Sequence, residues 1–192
     1  MEQAAYRSER SSGMFFVSDV QTTAPETFKT PLQERVYDTL GKLGISFERV
    51  DTDEAITMED CTEIDARLSM DMVKTLFLCN RQQTTFYLFI TRGDKPFRAK
   101  DFSAALGVAR VSFAPTELMQ SMLGTTIGAA TVFSVLLESA RGVQVVFDKD
   151  VCAQAFYGCS DGTTTGYMKI ATDRIVGDLM AFAKCAPIIV EV

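Results

Sequence analysis

The chain has 192 residues, 47% of them hydrophobic and 23% charged. That is enough to bury one core, and this composition excludes a fibrous or wholly disordered architecture. It contains no histidine, which removes imidazole-based triads and most zinc ligand sets, and its net charge of -6 disfavours broad nonspecific nucleic-acid binding.

Five cysteines (Cys61, Cys79, Cys152, Cys159 and Cys185) form no Cys-x-x-Cys pair, and their odd number cannot be fully paired within one chain. Reduced thiols in a cytoplasmic protein are therefore expected, with no metal and no cofactor. The longest apolar runs, among them Val143–Phe147, fall far short of the roughly 20 residues a membrane helix needs, so no membrane partner is expected. The N-terminal MEQAAYRSERSSGMFF has no apolar core of the signal-peptide kind.

Residues 1–30 are polar and aperiodic and read as an arm, poorly structured or attached to the surface of a domain spanning 31–192. Leu32, Val36, Leu40 and Leu43 then recur at helical spacing between Pro31 and Gly44, predicting a first helix. ISFERVDT alternates as a strand, and Thr57 with Asp60 suggests the N-cap of a second helix beginning near Thr57. Val73–Leu78 and Thr85–Thr91 read as neighbouring strands joined by the polar turn NRQQT. A short helix at Phe102–Leu106, a strand at Ala109–Phe113 and a helix at Pro115–Leu123 follow. GTTIGAAT is too polar for a core strand and too poor in charge for an ordinary loop, which suits close backbone approach. Val143–Phe147 and Tyr167–Ile170 are predicted strands, Thr172–Lys184 an amphipathic helix and Pro187–Val192 a last strand. The irregular order of strands and helices predicts an α+β domain, a mixed central sheet flanked by helices. GxGxxG and GxxxxGK[ST] phosphate loops are both missing from the sequence.

Charge is unevenly spread. Asp51–Asp71 carries eight acids and one base, whereas Arg92–Arg110 carries five bases and two acids, among them Lys95, Arg98 and Lys100. The basic run is either a solvated face or a contact for one end of a polyanion. Lys74 lies within the apolar VKTLFL, where an ammonium either reaches solvent at the strand's end or lines a cavity and meets a ligand's oxygens. Cys159 lacks any imidazole to activate it and reads as structural.

The succession VYDTLGKLGISFERV, AITMED, VKTLFL, GDKPFRAKDFSAALGVARVSFA, LGTTIGAATVF, VQVVFDKDV and YGCSDGTTTGYMKI resembles the prolyl-tRNA editing family. These are freestanding relatives of the insertion domain of bacterial prolyl-tRNA synthetase and of the YbaK proteins, and the similarity runs from about Leu32 to Val192. The resemblance implies the fold of that family and a deacylase of mischarged aminoacyl-tRNA, most typically alanine on proline tRNA, with prolyl-tRNA synthetase as a further partner. Lys74 matches the lysine of the family's K-N-L-F-L motif and is expected to hold the tRNA's terminal phosphate or ribose oxygens; Thr75 replaces the asparagine. Gly124, Gly128 and Ala129 match the pocket-shaping loop, Thr131 stands where that loop has serine, and Ile127 replaces a proline. Thr57, in the AITMED segment, completes the expected substrate-binding set together with Ser160 and Thr164. Where relatives read GCHPCINT, this chain has GCSDGTTT: Ser160 replaces the histidine, Asp161 the proline and Thr164 the asparagine. Lys95, Arg98 and Lys100 are the tRNA-contact candidates. The loss of the histidine leaves two alternatives: a family member that binds without turnover, or one that edits a different amino acid.

Overall fold

The computed structural model describes residues 14–192. Helix α1 (Pro31–Leu43) starts where Thr30 Oγ1 accepts a hydrogen bond from the Gln33 amide, with Pro31 in the first turn, and stops at Gly44, whose φ of +61° suits a residue without Cβ. Leu32, Val36 and Leu40 along its inner face are essentially inaccessible to solvent. Burying each is worth about 1.5–3 kcal/mol relative to exposure.

Among the described residues eight strands form two sheets. The larger has the order β4-β2-β3-β5-β8, from Ser112–Phe113, Val73–Cys79, Phe86–Arg92, Gln144–Asp148 and Ile188–Val190. It is mixed: β2 pairs antiparallel with β3 and β4, while β3 pairs parallel with β5, and β5 with β8. The smaller is antiparallel, β1-β7-β6, from Glu48–Asp51, Gly166–Ala171 and Phe156–Ser160. A parallel bridge between Met72 and Gly158 joins the two where β2 begins. A Cβ on Gly158 would lie 2.3 Å from Met70 Sδ, so glycine permits this approach.

Three apolar clusters fill the spaces between the layers. The largest lies between α1, one face of the large sheet, the β6-β7 pair and the C-terminal helical segment (Arg174–Leu179, of π type, continuing as Met180–Phe182). A second packs α2 (Thr62–Leu68) on the small sheet through Ile64, Leu68, Val50 and Tyr167. The third lies under α3 (Ala99–Leu106) on the opposite face of the large sheet, where Phe102 meets Phe89 and Tyr87.

Several expected elements shift. The second helix begins at Thr62, not near Thr57, because Asp60 turns its carboxylate back to accept from the Ile56 and Thr57 amides and closes a separate turn first. The strand expected over Ala109–Phe113 shrinks to Ser112–Phe113, and the helix after Pro115 is one α-turn, Thr116–Leu118, followed by a π-segment, Met119–Leu123. YGCS, for which the sequence predicts no element, belongs to strand β6. Of the polar arm, residues 1–13 lie outside the described residues; residues 14–30 run along β1, with bridges Val17 to Thr52 and Gln21 to Arg49. The buried Arg49 guanidinium fastens that stretch, donating to Thr23 O at 2.6 Å, Gln21 Oε1 at 2.7 Å and Asp51 Oδ1 at 3.0 Å.

Candidate aminoacyl-end site

The site begins at the head of β2. Alternation along the strand puts Thr75 on the face of the large core, beside the fully buried hydroxyl of Tyr157. Lys74 takes the other face, in register with Thr91 of β3, and its Nζ donates to the carbonyl of Lys95 at 2.5 Å. Burial lowers the Lys74 pKa below the ordinary lysine value, and the nearby Asp94 carboxylate opposes that shift. One backbone acceptor uses one of the three ammonium donors.

Lys95 is held firmly. Its own ammonium donates to Asp148 Oδ2 and Asp150 Oδ2, both at 2.8 Å. Burial disfavours the Lys95 charge, but the two carboxylates outweigh this and raise its pKa. Asp148 is completely buried and also accepts from Thr91 Oγ1 at 2.7 Å and from the Asp150 amide at 3.1 Å. Arg98, at the start of α3, and Lys100, in its first turn, are both exposed.

The segment Ala55–Met58 links this lysine to the glycine loop. At one end the chain passes Gly128 so closely that a Cβ there would lie 2.9 Å from Ile56 Cα and 3.2 Å from the Ala55 carbonyl; Gly128 also has φ +86°. At the other end the Met58 side chain covers Gly93, where a Cβ would fall 2.5 Å from both Met58 Cε and the Met72 carbonyl. Gly93 directly precedes Asp94 and Lys95 in the turn that holds Lys74. Thr57 lies exposed within this segment, its hydroxyl accepting weakly from the Asp60 amide.

The glycine loop is anchored at both ends and open at its tip. Gly124 caps the π-segment with φ +65°, and Thr131, fully buried, turns its hydroxyl to accept from the Phe133 amide at the start of a 3-10 turn (Val132–Leu136). Ala129 is buried and donates its amide to Thr126 O, whereas Thr126, Ile127 and Gly128 are exposed.

The third wall is the β6-β7 turn. Ser160 is buried, and its hydroxyl donates to Thr163 O at 2.6 Å and accepts from the Gly162 amide at 3.0 Å, so it fastens the turn on itself. Asp161 is buried too, with a carboxylate that receives Gln33 Nε2 at 2.8 Å, Tyr37 Oη at 2.9 Å, and the Thr163 hydroxyl and amide at 2.8 and 3.2 Å. Burial and then the Asp161 charge keep the Tyr37 phenol protonated far above its usual range. Gly166 makes room for this carboxylate, since a Cβ would lie 2.2 Å from Asp161 Oδ2. Thr164 accepts the Ala55 amide on its carbonyl at 2.8 Å, and Tyr167 Oη donates to Ala55 O at 2.9 Å. Cys159 is wholly buried, and burial followed by the Asp161 charge drives its thiol pKa upward, away from nucleophilic use.

Thr57, Gly128 and Thr164 thus gather around Ala55–Met58, with Ser160 behind the Thr164 turn, and Lys74 reaches the same segment through Gly93 and Met58. A cavity of about 30 Å³ under α3 is lined by Thr91, Lys95, Phe97 and Arg98 and so adjoins the turn that holds Lys74, and a groove of about 580 Å³ is lined by Cys152, Thr172 and Asp173. Asp148 and Asp161 were passed over in the sequence as site residues. Asp148 had one legible signal, an acid placed directly after the core run VVF, whereas nothing local pairs Asp161 with Gln33 and Tyr37 more than 120 residues away. Among the described residues no three His, Cys, Asp or Glu side chains converge to hold a metal, and no helix is long and apolar enough to cross a membrane.

The large mixed sheet thus carries a half-buried lysine at the head of β2, and the glycine loop and the β6-β7 turn both contact Ala55–Met58. The model of the aminoacyl-tRNA editing domain matches residues 52–176, and the chain belongs to that family. It is 29% identical over 123 residues to the prolyl-tRNA editing protein ProX of Acetoanaerobium sticklandii, covering 64% of this chain and 75% of that one. It is 26% identical over 120 residues to the zebrafish (Danio rerio) prolyl-tRNA synthetase associated domain-containing protein 1, covering 62% and 65%. The fold matches two crystal structures at low identity. One is the hypothetical protein APE2540 (TM-score 0.62, 16% identity, 81% of this chain and 98% of that one). The other is a candidate trans-editing enzyme for prolyl tRNA synthetase (0.58, 15%, 86% and 99%). The chain is an aminoacyl-tRNA deacylase by family, and its substrate class is aminoacyl-tRNA.

Proposed function

We propose that the protein is a trans-editing hydrolase that removes alanine from mischarged proline tRNA in the cytoplasm, in partnership with prolyl-tRNA synthetase. The observation that carries this reading is Lys74, in the family's lysine position, with donors to spare beside the segment on which the glycine loop closes. Its ammonium grips the ribose or phosphate oxygens of the terminal nucleotide, and Thr57 flanks that end; Thr75, on the opposite face of β2, lies beside Tyr157. The Gly124–Thr131 loop, with Ala129 at its buried base, limits side-chain size, and the amides at its tip face the carbonyl oxygen as it gains charge. Ser160 and Thr164 form the wall opposite. An aminoacyl ester is already activated, so a positioned water, backbone donors and the ribose's neighbouring 2'-hydroxyl achieve hydrolysis without imidazole. Arg98 and Lys100 supply a salt-dependent contact with the acceptor stem.

Single-turnover deacylation of Ala-tRNA(Pro) tests this. Lys74→Ala is expected to lower the rate by about 10²-fold or more, the scale of losing one positioned electrostatic contact, and an unchanged rate would remove Lys74 from the mechanism. A specific observation supports a variant reading: Ser160 spends its hydroxyl inside the turn, so the wall presents no polar group where relatives place an imidazole. On that reading a larger amino acid is preferred. A panel of mischarged tRNAs separates the two, and measurable binding with no turnover on any of them would make the protein a binder only.

A further inference from the structure

Lys95, Asp148, Asp150 and Thr91 form a closed cluster directly behind Lys74. The buried carboxylate of Asp148 takes the Lys95 ammonium and the Thr91 hydroxyl on the same oxygen, and its other oxygen takes the Asp150 amide. Lys95 is thereby fixed at its side chain by two acids and at its amide by a hydrogen bond to Arg92 O at 3.1 Å. Arg92 is itself braced against Asp94 by two hydrogen bonds, at 3.0 and 2.7 Å. What this arrangement offers the site is one group, the Lys95 carbonyl, held at 2.5 Å from Lys74 Nζ. A lysine side chain has many rotamers and loses considerable entropy when held in one. A rigid acceptor in the turn selects among them.

We infer that Asp148 and Lys95 are positioning residues, an ion pair anchored on a buried carboxylate that fixes the Lys95 carbonyl and through it aims the Lys74 ammonium at the substrate. This assigns the Lys95 charge to the protein's own Asp148 and Asp150 rather than to tRNA phosphate. It rests on the reading of Lys74 as the residue that grips the aminoacyl end, and deepens it.

The two roles for Lys95 predict opposite patterns. If its ammonium met phosphate, Lys95→Met would raise KM in a salt-dependent way, and Asp148→Asn, which frees that ammonium, would leave binding equal or tighter. If the pair acts through Lys74, both variants lower kcat with little change in KM. A displacement of the reacting geometry by about 1 Å costs on the order of 10²-fold, so losses of about tenfold to a hundredfold are expected. The double variant should then be no worse than either single one, because both break the same link. Additive losses, or a salt-dependent KM effect in Lys95→Met alone, would overturn the inference. Thermal melting of each variant separates loss of the fold from loss of aim. Should Asp148→Asn not fold, Lys95→Met, which leaves the backbone carbonyl in place, carries the test together with Lys95→Arg, which restores the charge and should recover most of kcat.

A readout independent of turnover keeps the two ideas apart. Acetylation of Lys74 by a small amine-reactive ester, followed by mass spectrometry, reports how firmly its amine is held. Freeing the Lys95 turn should raise that reactivity several-fold in both Asp148→Asn and Lys95→Met, even in a protein that deacylates no tRNA at all. Unaltered Lys74 reactivity in both folded variants would refute the coupling, and inactivity of the unmodified protein would instead refute the editing reading.

Discussion

Asp65, in the first turn of α2, is half-buried and accepts the Met72 amide at 3.1 Å, fastening the helix to the chain as it enters β2. Burial raises its pKa to about 6 from an ordinary 3.8; the amide hydrogen bond opposes the shift and the Asp71 charge adds to it. The folded state therefore binds this proton more tightly than the unfolded chain does. The resulting stabilisation is complete below about pH 4 and is lost as pH rises through 6. Urea titrations between pH 4 and 7 should show that slope, and Asp65→Asn, which keeps the acceptor without the charge, should flatten it and be slightly more stable at pH 7. Lys74 follows the reverse logic: its charged form is the useful one and burial makes that form easier to lose. An NMR titration of its side chain should give a midpoint below 10.5, and Asp94→Asn should lower it further by removing the opposing carboxylate.

At the scale of elements, the glycine loop and Ala55–Met58 behave as one unit. Gly128→Ala adds a methyl group 2.9 Å from Ile56 Cα at a φ of +86°, so both strain and overlap act against it. A stability loss of about 1–3 kcal/mol is expected from such a position, measured by chemical denaturation, with editing falling further than the stability loss explains because the loop must move off its partner. Much of this unit was legible beforehand: small residues without charge announced close approach, and the approach is to Ile56. The β6 strand was not legible, because Gly158 and Ser160 leave YGCS without a strand pattern of its own. The strand exists because β7 and the Met72 bridge supply its hydrogen bonds.

Across the whole molecule, Asp161 is the joint between the first helix and the last wall of the site. Tyr37 and Gln33 on α1 both donate to it, and Leu32 of the same helix lies against Gly162, where a Cβ would come within 2.9 Å of Leu32 Cδ2. Tyr37→Phe removes one donor from a buried carboxylate and should cost about 1.5–3 kcal/mol, the range for hydrogen bonds to charged groups. If the joint also sets the shape of the wall, the same variant shifts discrimination between alanine and larger amino acids, which competition between two mischarged tRNAs measures.

Sequence by itself determined the class of fold, the first helix with its stop at Gly44, the β2-β3 pair and the placing of Lys74 on β2 amid apolar neighbours, because each depends on periodicity and local turn chemistry within a few residues. It also flagged Ser160 as the departure from the family. Only the tertiary structure decided what Ser160 and Lys95 are engaged with: a serine hydroxyl closed on its own turn, and a lysine in the basic run spent on two carboxylates more than 50 residues away. Local pattern records which groups can hydrogen-bond, whereas the choice of partner is made by whichever oppositely charged group the fold buries beside them.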